Sequence, residues 1–85
     1  MEQNNIVELV RFVAQKLVDE PDAVNITTSA DEEGTVRMLL SVAPQDVGKI
    51  IGRQGRIAKA MRTVVRAAAK DGTHYILDID SEKDE

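Results

Sequence analysis

The apolar residues of this chain follow a helical period in some segments and a strand period in others. Between residues 6 and 17 they recur every three or four positions, which predicts an amphipathic helix. Apolar and polar residues alternate over residues 24–30 and again over residues 35–42, which predicts two strands. The acidic segment 31–34 between them ends in a glycine and predicts a turn. A β-hairpin is therefore expected after the first helix.

Two further helices are predicted on either side of a glycine-containing loop. The first is short, starts near Pro44 and stops at Gly52, after a short apolar segment. The second starts after Gly55 and extends to about Lys70. The predicted apolar face of this longer helix consists of Ile57, Ala60, Met61, Val64 and Ala68.

A third strand at residues 75–79 completes the predicted element order α-β-β-α-α-β. This order favours an α+β domain in which helices cover one face of a three-stranded sheet. We expect the domain to span residues 1–80 and the acidic residues 81–85 to form a flexible tail. A chain of 85 residues suffices for one such domain and is too short for two.

The composition excludes several kinds of function. The chain has no cysteine, so it has neither a disulfide framework nor a thiolate metal site or nucleophile. The single histidine, His74, has no catalytic partners in the sequence, which predicts a protein that is not an enzyme and has no cofactor or metal. The polar first residues and the lack of an apolar run of about 18 residues predict neither a signal peptide nor a membrane span. We therefore expect a cytoplasmic protein.

Charge is distributed unevenly along the chain. The net charge is −4, yet residues 45–70 contain seven cations and one anion, a local charge of +6. Electrostatic recognition depends on the potential within about 8–10 Å more than on the total charge. The acidic net charge is therefore compatible with a nucleic-acid partner on one basic side of the protein.

The most informative motif is the loop Gly52-Arg53-Gln54-Gly55 inside this basic segment. Because glycine lacks a Cβ atom, a sugar-phosphate chain can approach Gly52 and Gly55 closely. Arg53 is expected to contact a phosphate and Gln54 to donate a hydrogen bond, while the start of the next helix favours an anion. The predicted nucleic-acid-binding residues are these four, the cations Lys49, Arg56 and Lys59, and the aliphatic residues Ile50, Ile51 and Ile57. The isoleucines either anchor the loop or form the floor of a shallow groove for unstacked bases.

The segment IIGRQGRI, residues 50–57, resembles the signature of the KH domain, whose GxxG loop clamps about four nucleotides of a single strand. The helix and strand that precede this unit make the element order similar to the type II, bacterial arrangement. The resemblance covers nearly the whole chain. A KH domain of this length without another module resembles the KhpA family of small bacterial RNA-binding proteins.

This resemblance implies a single type II KH domain and a non-enzymatic protein that binds single-stranded RNA. An RNA chaperone or a post-transcriptional regulator is the type of function expected. The family resemblance also implies a homodimer, or a heterodimer with a larger KH-containing protein linked to cell-envelope growth and cell shape.

Alternatives remain open at this point. Two glycines three residues apart also occur in ordinary turns and in helix-turn-helix motifs that bind DNA, although strands on both sides are unusual for the latter. The main alternative function is a protein-interaction module that acts by dimerisation and binds RNA only slightly. The far wall of the RNA groove is predicted at residues 37–40 of the second strand, where no motif identifies the contacting residues.

Overall fold

The computed structural model describes residues 2–69 and 72–80. Its elements are α1 (Glu2–Leu17), β1 (Asn25–Ala30), β2 (Val36–Ser41), α2 (Val47–Ile51), α3 (Arg56–Ala68) and β3 (Tyr75–Ile79). The predicted α+β class and the order α-β-β-α-α-β are confirmed. α1 begins four residues before the predicted start, and α3 ends two residues before the predicted end. Lys70 and the predicted tail at residues 81–85 lie outside the described residues.

The three strands form one mixed sheet in the order β1-β2-β3. β1 and β2 pair antiparallel as the predicted hairpin, and β2 and β3 pair parallel. In the hairpin turn the carboxylate of Asp31 accepts hydrogen bonds from the N–H groups of Glu33 and Thr35, both at 2.9 Å. A parallel pair needs a crossover connection. The segment that contains α2 and α3 supplies it and brings both helices onto the sheet.

The core lies between the helices and one face of the sheet. Along β2, Val36, Met38 and Leu40 are buried, whereas Arg37 and Leu39 on the opposite face are exposed. The core is completed by Ile6, Val10, Ala14, Val18, Val24, Ile50, Met61, Val65 and Leu77. The prediction that the helices cover one face of the sheet is therefore confirmed.

The buried face of α3 differs from the predicted one. Ala58 and Val65 are buried together with the predicted Met61, whereas Val64 is 46% exposed. α3 contacts both α1 and β3, and its apolar residues cover a wide part of the helix surface. The helical period alone therefore does not predict which of them are buried. Of the predicted face, Ile57, Ala60, Met61 and Val64 line an open groove between α3 and α1.

Candidate nucleic-acid interface

The Gly52–Gly55 loop connects α2 to α3 through a single 3-10 turn, Arg53–Gly55. Three of its residues have positive φ: Gly52 (φ 78°, ψ 171°), Gln54 (φ 60°, ψ 24°) and Gly55 (φ 77°, ψ 14°). Gln54 is the only non-glycine residue with a positive φ in the part of the chain that the structure describes. A left-handed conformation costs a non-glycine residue roughly 1–2 kcal/mol. The contacts around the loop therefore hold it in a strained shape, as is common at functional sites.

The two glycines of the loop contribute in different ways. A Cβ atom at Gly52 would lie 2.6 Å from Cγ1 of Ile57 and 2.9 Å from its backbone nitrogen. Gly52 is therefore needed for the packing of the loop against α3. A Cβ atom at Gly55 would meet nothing within 4 Å. The absent Cβ of Gly52 therefore faces Ile57, whereas that of Gly55 borders open space, and the close approach of a sugar-phosphate chain to both glycines stays a prediction.

The front of the loop carries unused hydrogen-bond donors. Arg53 and Gln54 are both exposed. The N–H group of Gly55 donates to the carbonyl of Gly52 at 3.1 Å, and that of Arg56 donates to the carbonyl of Arg53. The backbone N–H groups of Arg53 and Gln54 have no acceptor among residues 2–69 and 72–80. Together with the Arg53 guanidinium group, they are suited to an anion.

The three isoleucines around the loop separate into two roles. Ile50 is fully buried in the core, so it anchors the loop and has no surface that could contact a base. Ile51 and Ile57 are half-buried. Ile57 packs under the backbone of Gly52, and both residues retain some accessible apolar surface. The predicted base-binding floor is therefore limited to Ile51 and Ile57.

A row of cations continues from the loop along α3. Lys59, Arg62 and Arg66 follow Gly55 at spacings of four, three and four residues, which places them on one side of the helix. The Nε–H group of Arg62 donates to the carbonyl of Leu77 at 2.9 Å, so this side is directed toward β3. A cleft of about 350 Å³ opens there, lined by Arg62, Val65, Arg66, His74, Tyr75, Ile76, Leu77 and Asp78.

The position of the cleft differs from that of the predicted groove wall. Residues 37–40 belong to β2, the central strand of the sheet, which pairs with β1 on one side and β3 on the other. The edge strand β3 lines the cleft instead. The predicted site residues do not include Arg62, Arg66, His74 or Tyr75. The spacing of Arg62 and Arg66 from Gly55 could have predicted that these arginines lie near the loop. No sequence signal could have predicted the positions of His74 and Tyr75, because the position of β3 depends on the tertiary fold.

Arg56 borders a second surface, the groove between α1 and α3. Its Nη2 atom lies 3.5 Å from Oε1 of Gln54, and its side chain also lines the groove. The groove has a volume of about 320 Å³, and its other lining residues are Leu9, Val10, Val13, Leu17, Ile57, Ala60, Met61, Val64 and Val65. Phe12, one helical turn from Leu9 on α1, is 59% exposed. This surface is apolar and differs in chemistry from the cleft beside β3.

Lys49 is engaged by carboxylates. Its Nζ atom lies 3.4 Å from Asp19 and 3.4 Å from Asp46. Oδ2 of the fully buried Asp46 accepts hydrogen bonds from the N–H groups of Asp19 and Glu20, at 3.2 and 3.0 Å. Burial acts to raise the pKa of Asp46, but these hydrogen bonds and Lys49 outweigh it and hold that pKa below its ordinary value of 3.8. The hydrogen bond and charge of Asp19, with Asp46, raise the pKa of Lys49.

The lowered pKa of Asp46 predicts a pH dependence of stability. Because the folded state favours the ionised carboxylate, Asp46 stabilises the fold fully above its ordinary pKa. This stabilisation is lost as the pH falls through the lower pKa that Asp46 has in the folded state. We expect Asp46→Asn to lower the urea midpoint near neutral pH and the difference from the native chain to shrink in strong acid. Urea unfolding of both proteins between neutral and acidic pH measures this difference. A difference that stays constant over the whole range would contradict the assignment.

The described residues provide little for other chemistry. No group of three or more histidine, aspartate or glutamate side chains among them could hold a metal ion. None of the helices in the described part of the chain is long and apolar enough to cross a membrane.

The chain is similar to known proteins over most of its length. A family profile described as "KhpA/KhpB, KH domain" matches residues 7–79. The RNA-binding protein KhpA of Clostridium perfringens is 48% identical over 73 residues, which cover 85% of this chain and 96% of the relative. Proteins of the same name from Borreliella burgdorferi and Aquifex aeolicus are 44% identical over 79 residues (92% and 95% covered) and 42% identical over 73 residues (85% and 91% covered). No solved structure matches the chain.

Proposed function

Because this chain belongs to the KhpA/KhpB family of KH domains, we propose that it binds single-stranded RNA with its Gly52–Gly55 loop. The membership confirms the family that the motif suggested and the prediction of a non-enzymatic protein. Its relatives are named as RNA-binding proteins. The observation that carries the proposal is the open loop, with two free N–H donors, at the start of the cation row on α3.

The proposed contacts follow from the chemistry of each group. A phosphate beside Gly55 accepts hydrogen bonds from the N–H groups of Arg53 and Gln54 and pairs with the Arg53 guanidinium group. Gly55 supplies the space that the phosphate needs, and Gly52 maintains the shape of the loop. Arg56 is a further proposed contact, because its side chain already reaches Gln54.

Beyond the loop, the RNA strand is proposed to enter the cleft between α3 and β3. Lys59, Arg62 and Arg66 balance the charge of successive phosphates along one side. The bases rest against β3 and against the accessible apolar surface of Ile51 and Ile57. The chain contains only two aromatic residues, Phe12 and Tyr75, so aliphatic contacts replace most of the stacking used by other RNA-binding folds.

Such a site predicts a moderate salt dependence of RNA affinity. Two to four phosphate contacts give a slope of log K against log salt of roughly −1.4 to −2.8, at about −0.7 per contact with single strands. Fluorescence anisotropy with a short labelled RNA, from about 50 to about 200 mM salt, measures the slope. A duplex of the same sequence is the control and should bind more weakly. An affinity that does not change with salt would contradict the proposal.

We place this activity in the cytoplasm and propose that the protein acts there as an RNA chaperone or post-transcriptional regulator. A single domain with few contacts binds weakly, and a second KH domain would raise the affinity by avidity.

The alternative function is dimerisation. The apolar groove between α1 and α3 favours dimerisation as a property in addition to RNA binding. An exposed Val64 beside this groove, with Phe12 near its edge, is the kind of surface that associates in water. The proposed occupant is a second copy of this chain or the KH domain of a larger partner.

Val64→Lys tests this alternative. Val64 is half-exposed, so the substitution should change the stability of the monomer by no more than about 0.5 kcal/mol. A charge in the groove should weaken self-association by at least about tenfold. Sedimentation velocity over a range of concentrations compares the variant with the native chain, and Thr63→Lys, on an exposed neighbouring position, is the matched control. A native chain that stays monomeric at every concentration would exclude the homodimer.

A further inference from the structure

The helix that carries the loop is too short to hold its own position. α2 has five residues, a length of about 7.5 Å. Isolated helices shorter than about 12 residues are marginal in water, so tertiary contacts must fix α2. Ile50 supplies one such contact, because its side chain is fully buried in the core. Apolar packing of this kind is not directional, and directional polar contacts restrict the rotation of so short a helix further.

Asp46, directly before α2, makes such directional contacts. Its Oδ2 atom accepts the N–H groups of Asp19 and Glu20, which follow the end of α1. These bonds join segments that are 26 and 27 residues apart in the chain. A buried carboxylate is tolerated only when it is paired and hydrogen-bonded. The geometry satisfies this condition with two backbone donors on one oxygen and a cation near the other.

Lys49 completes the cluster from within α2. Its ammonium group bridges Oδ1 of Asp46 and Oδ2 of Asp19, at 3.4 Å from each. Lys49 is the only cation within ion-pair distance of Asp46 in the described part of the chain. A phosphate contact would compete with these two carboxylates for the ammonium group, and any weakening of the Asp46 pair leaves a buried charge less compensated.

We propose that Asp46 is a positioning residue for the RNA-binding loop and that Lys49 is the bridging cation of the same anchor, not a phosphate contact. This inference rests on the proposed function, because the loop whose position it fixes is the proposed RNA site. Asp46 lies at one end of α2 and Gly52 at the other, so a change in the anchor moves the loop donors together. Pre-organised donors bind more tightly than mobile ones.

The salt dependence of RNA affinity separates an anchoring role from a direct contact. Lys49→Met removes the bridging cation and keeps the length of the side chain. Lys59→Met is the matched control, because Lys59 is exposed and has no carboxylate partner among the described residues. We expect Lys49→Met to weaken binding about tenfold with an unchanged salt slope, and Lys59→Met to reduce the slope by about 0.7. A slope reduced by the same amount in Lys49→Met, or native affinity in this variant, would overturn the proposal.

A second measurement needs no RNA. It tests the positioning role of Asp46 and Lys49 separately from the proposed RNA-binding function. Asp46→Asn keeps an oxygen that can accept the two backbone N–H groups but removes the charge that holds Lys49. In 1H–15N correlation spectra of the folded variant, the amide signals of Gly52 and Gly55 should shift, while those of the hairpin turn at residues 31–34 should not. Unchanged loop signals would refute the anchor even if the native chain binds RNA. Shifted loop signals with no RNA binding by the native chain would refute the proposed function alone.

Discussion

Replacing Gly52 by alanine should destabilise this domain by about 2–6 kcal/mol, the largest effect expected for a single methyl group in the chain. The backbone of Gly52, at φ 78° and ψ 171°, lies in a region that is essentially restricted to glycine, and holding an alanine there costs about 1–3 kcal/mol. The new Cβ atom would also overlap Ile57, at 2.6 Å from its Cγ1 and 2.9 Å from its backbone nitrogen. Overpacking of this kind adds about 1–3 kcal/mol.

Thermal or urea unfolding measures this loss against a matched control. The control is Gly55→Ala, because Gly55 also has a positive φ but has open space where the Cβ would lie. We expect it to lose only the backbone term of about 1–2 kcal/mol. A domain of this length has roughly 4–13 kcal/mol of stability in total, so Gly52→Ala should lower the Tm by roughly 10 °C or more. Equal stability of the two variants would contradict the packing role of Gly52.

The double substitution Arg53→Asp/Gln54→Asp should abolish measurable RNA binding, with a loss of at least about 100-fold. Each hydrogen bond from a charged or phosphate-bound donor contributes about 1.5–3 kcal/mol, and every 1.4 kcal/mol corresponds to a factor of ten in Kd. Two carboxylates at the front of the loop would replace these contacts by repulsion of the phosphates. Anisotropy titration of a short single-stranded RNA measures the change.

The fold should tolerate this substitution, which makes the result interpretable. Both positions are exposed, and aspartate is more frequent than glutamine in the left-handed conformation that residue 54 adopts. Arg53→Asn/Gln54→Asn is the control, because it has nearly the same shape without the negative charges, and we expect it to lose about tenfold. Circular dichroism verifies that both variants are folded. Native affinity in the aspartate variant would show that the loop is not the RNA site.

The sequence was sufficient for the order of the elements because each period depends on local geometry. Alternation in β2 and the three- to four-residue period in α1 determine which side of each element is apolar, independently of its neighbours. The buried face of α3 was harder to predict from the sequence. Its apolar residues cover a wide arc, and only the contacts with α1 and β3 decide that Ala58 and Val65 are buried and that Val64 is exposed.

The candidate site likewise has one part that the sequence predicts and another that depends on the tertiary fold. The loop itself was recognisable because glycines and flanking isoleucines are fixed by short-range constraints. The ion pair between Lys49 and Asp19 could not be predicted from the sequence, because the two residues are 30 positions apart and no sequence pattern links them. The hydrogen bond between Arg62 and the carbonyl of Leu77 also depends on the tertiary packing of α3 beside β3. Long-range polar contacts of this kind place Lys49 beside two carboxylates and Arg62 beside β3, which no local pattern predicts.

The central claim is that the loop and the cleft beside β3 bind single-stranded RNA, and an NMR titration tests it most directly. A 1H–15N correlation spectrum would be recorded while a short mixed-sequence RNA is added. We expect shifts for the amides of Gln54 and Gly55 and then for Arg62, Arg66 and Leu77, with residues 31–34 of the hairpin turn unaffected. Shifts confined to the groove between α1 and α3, or no shifts in the loop at saturating RNA, would contradict it.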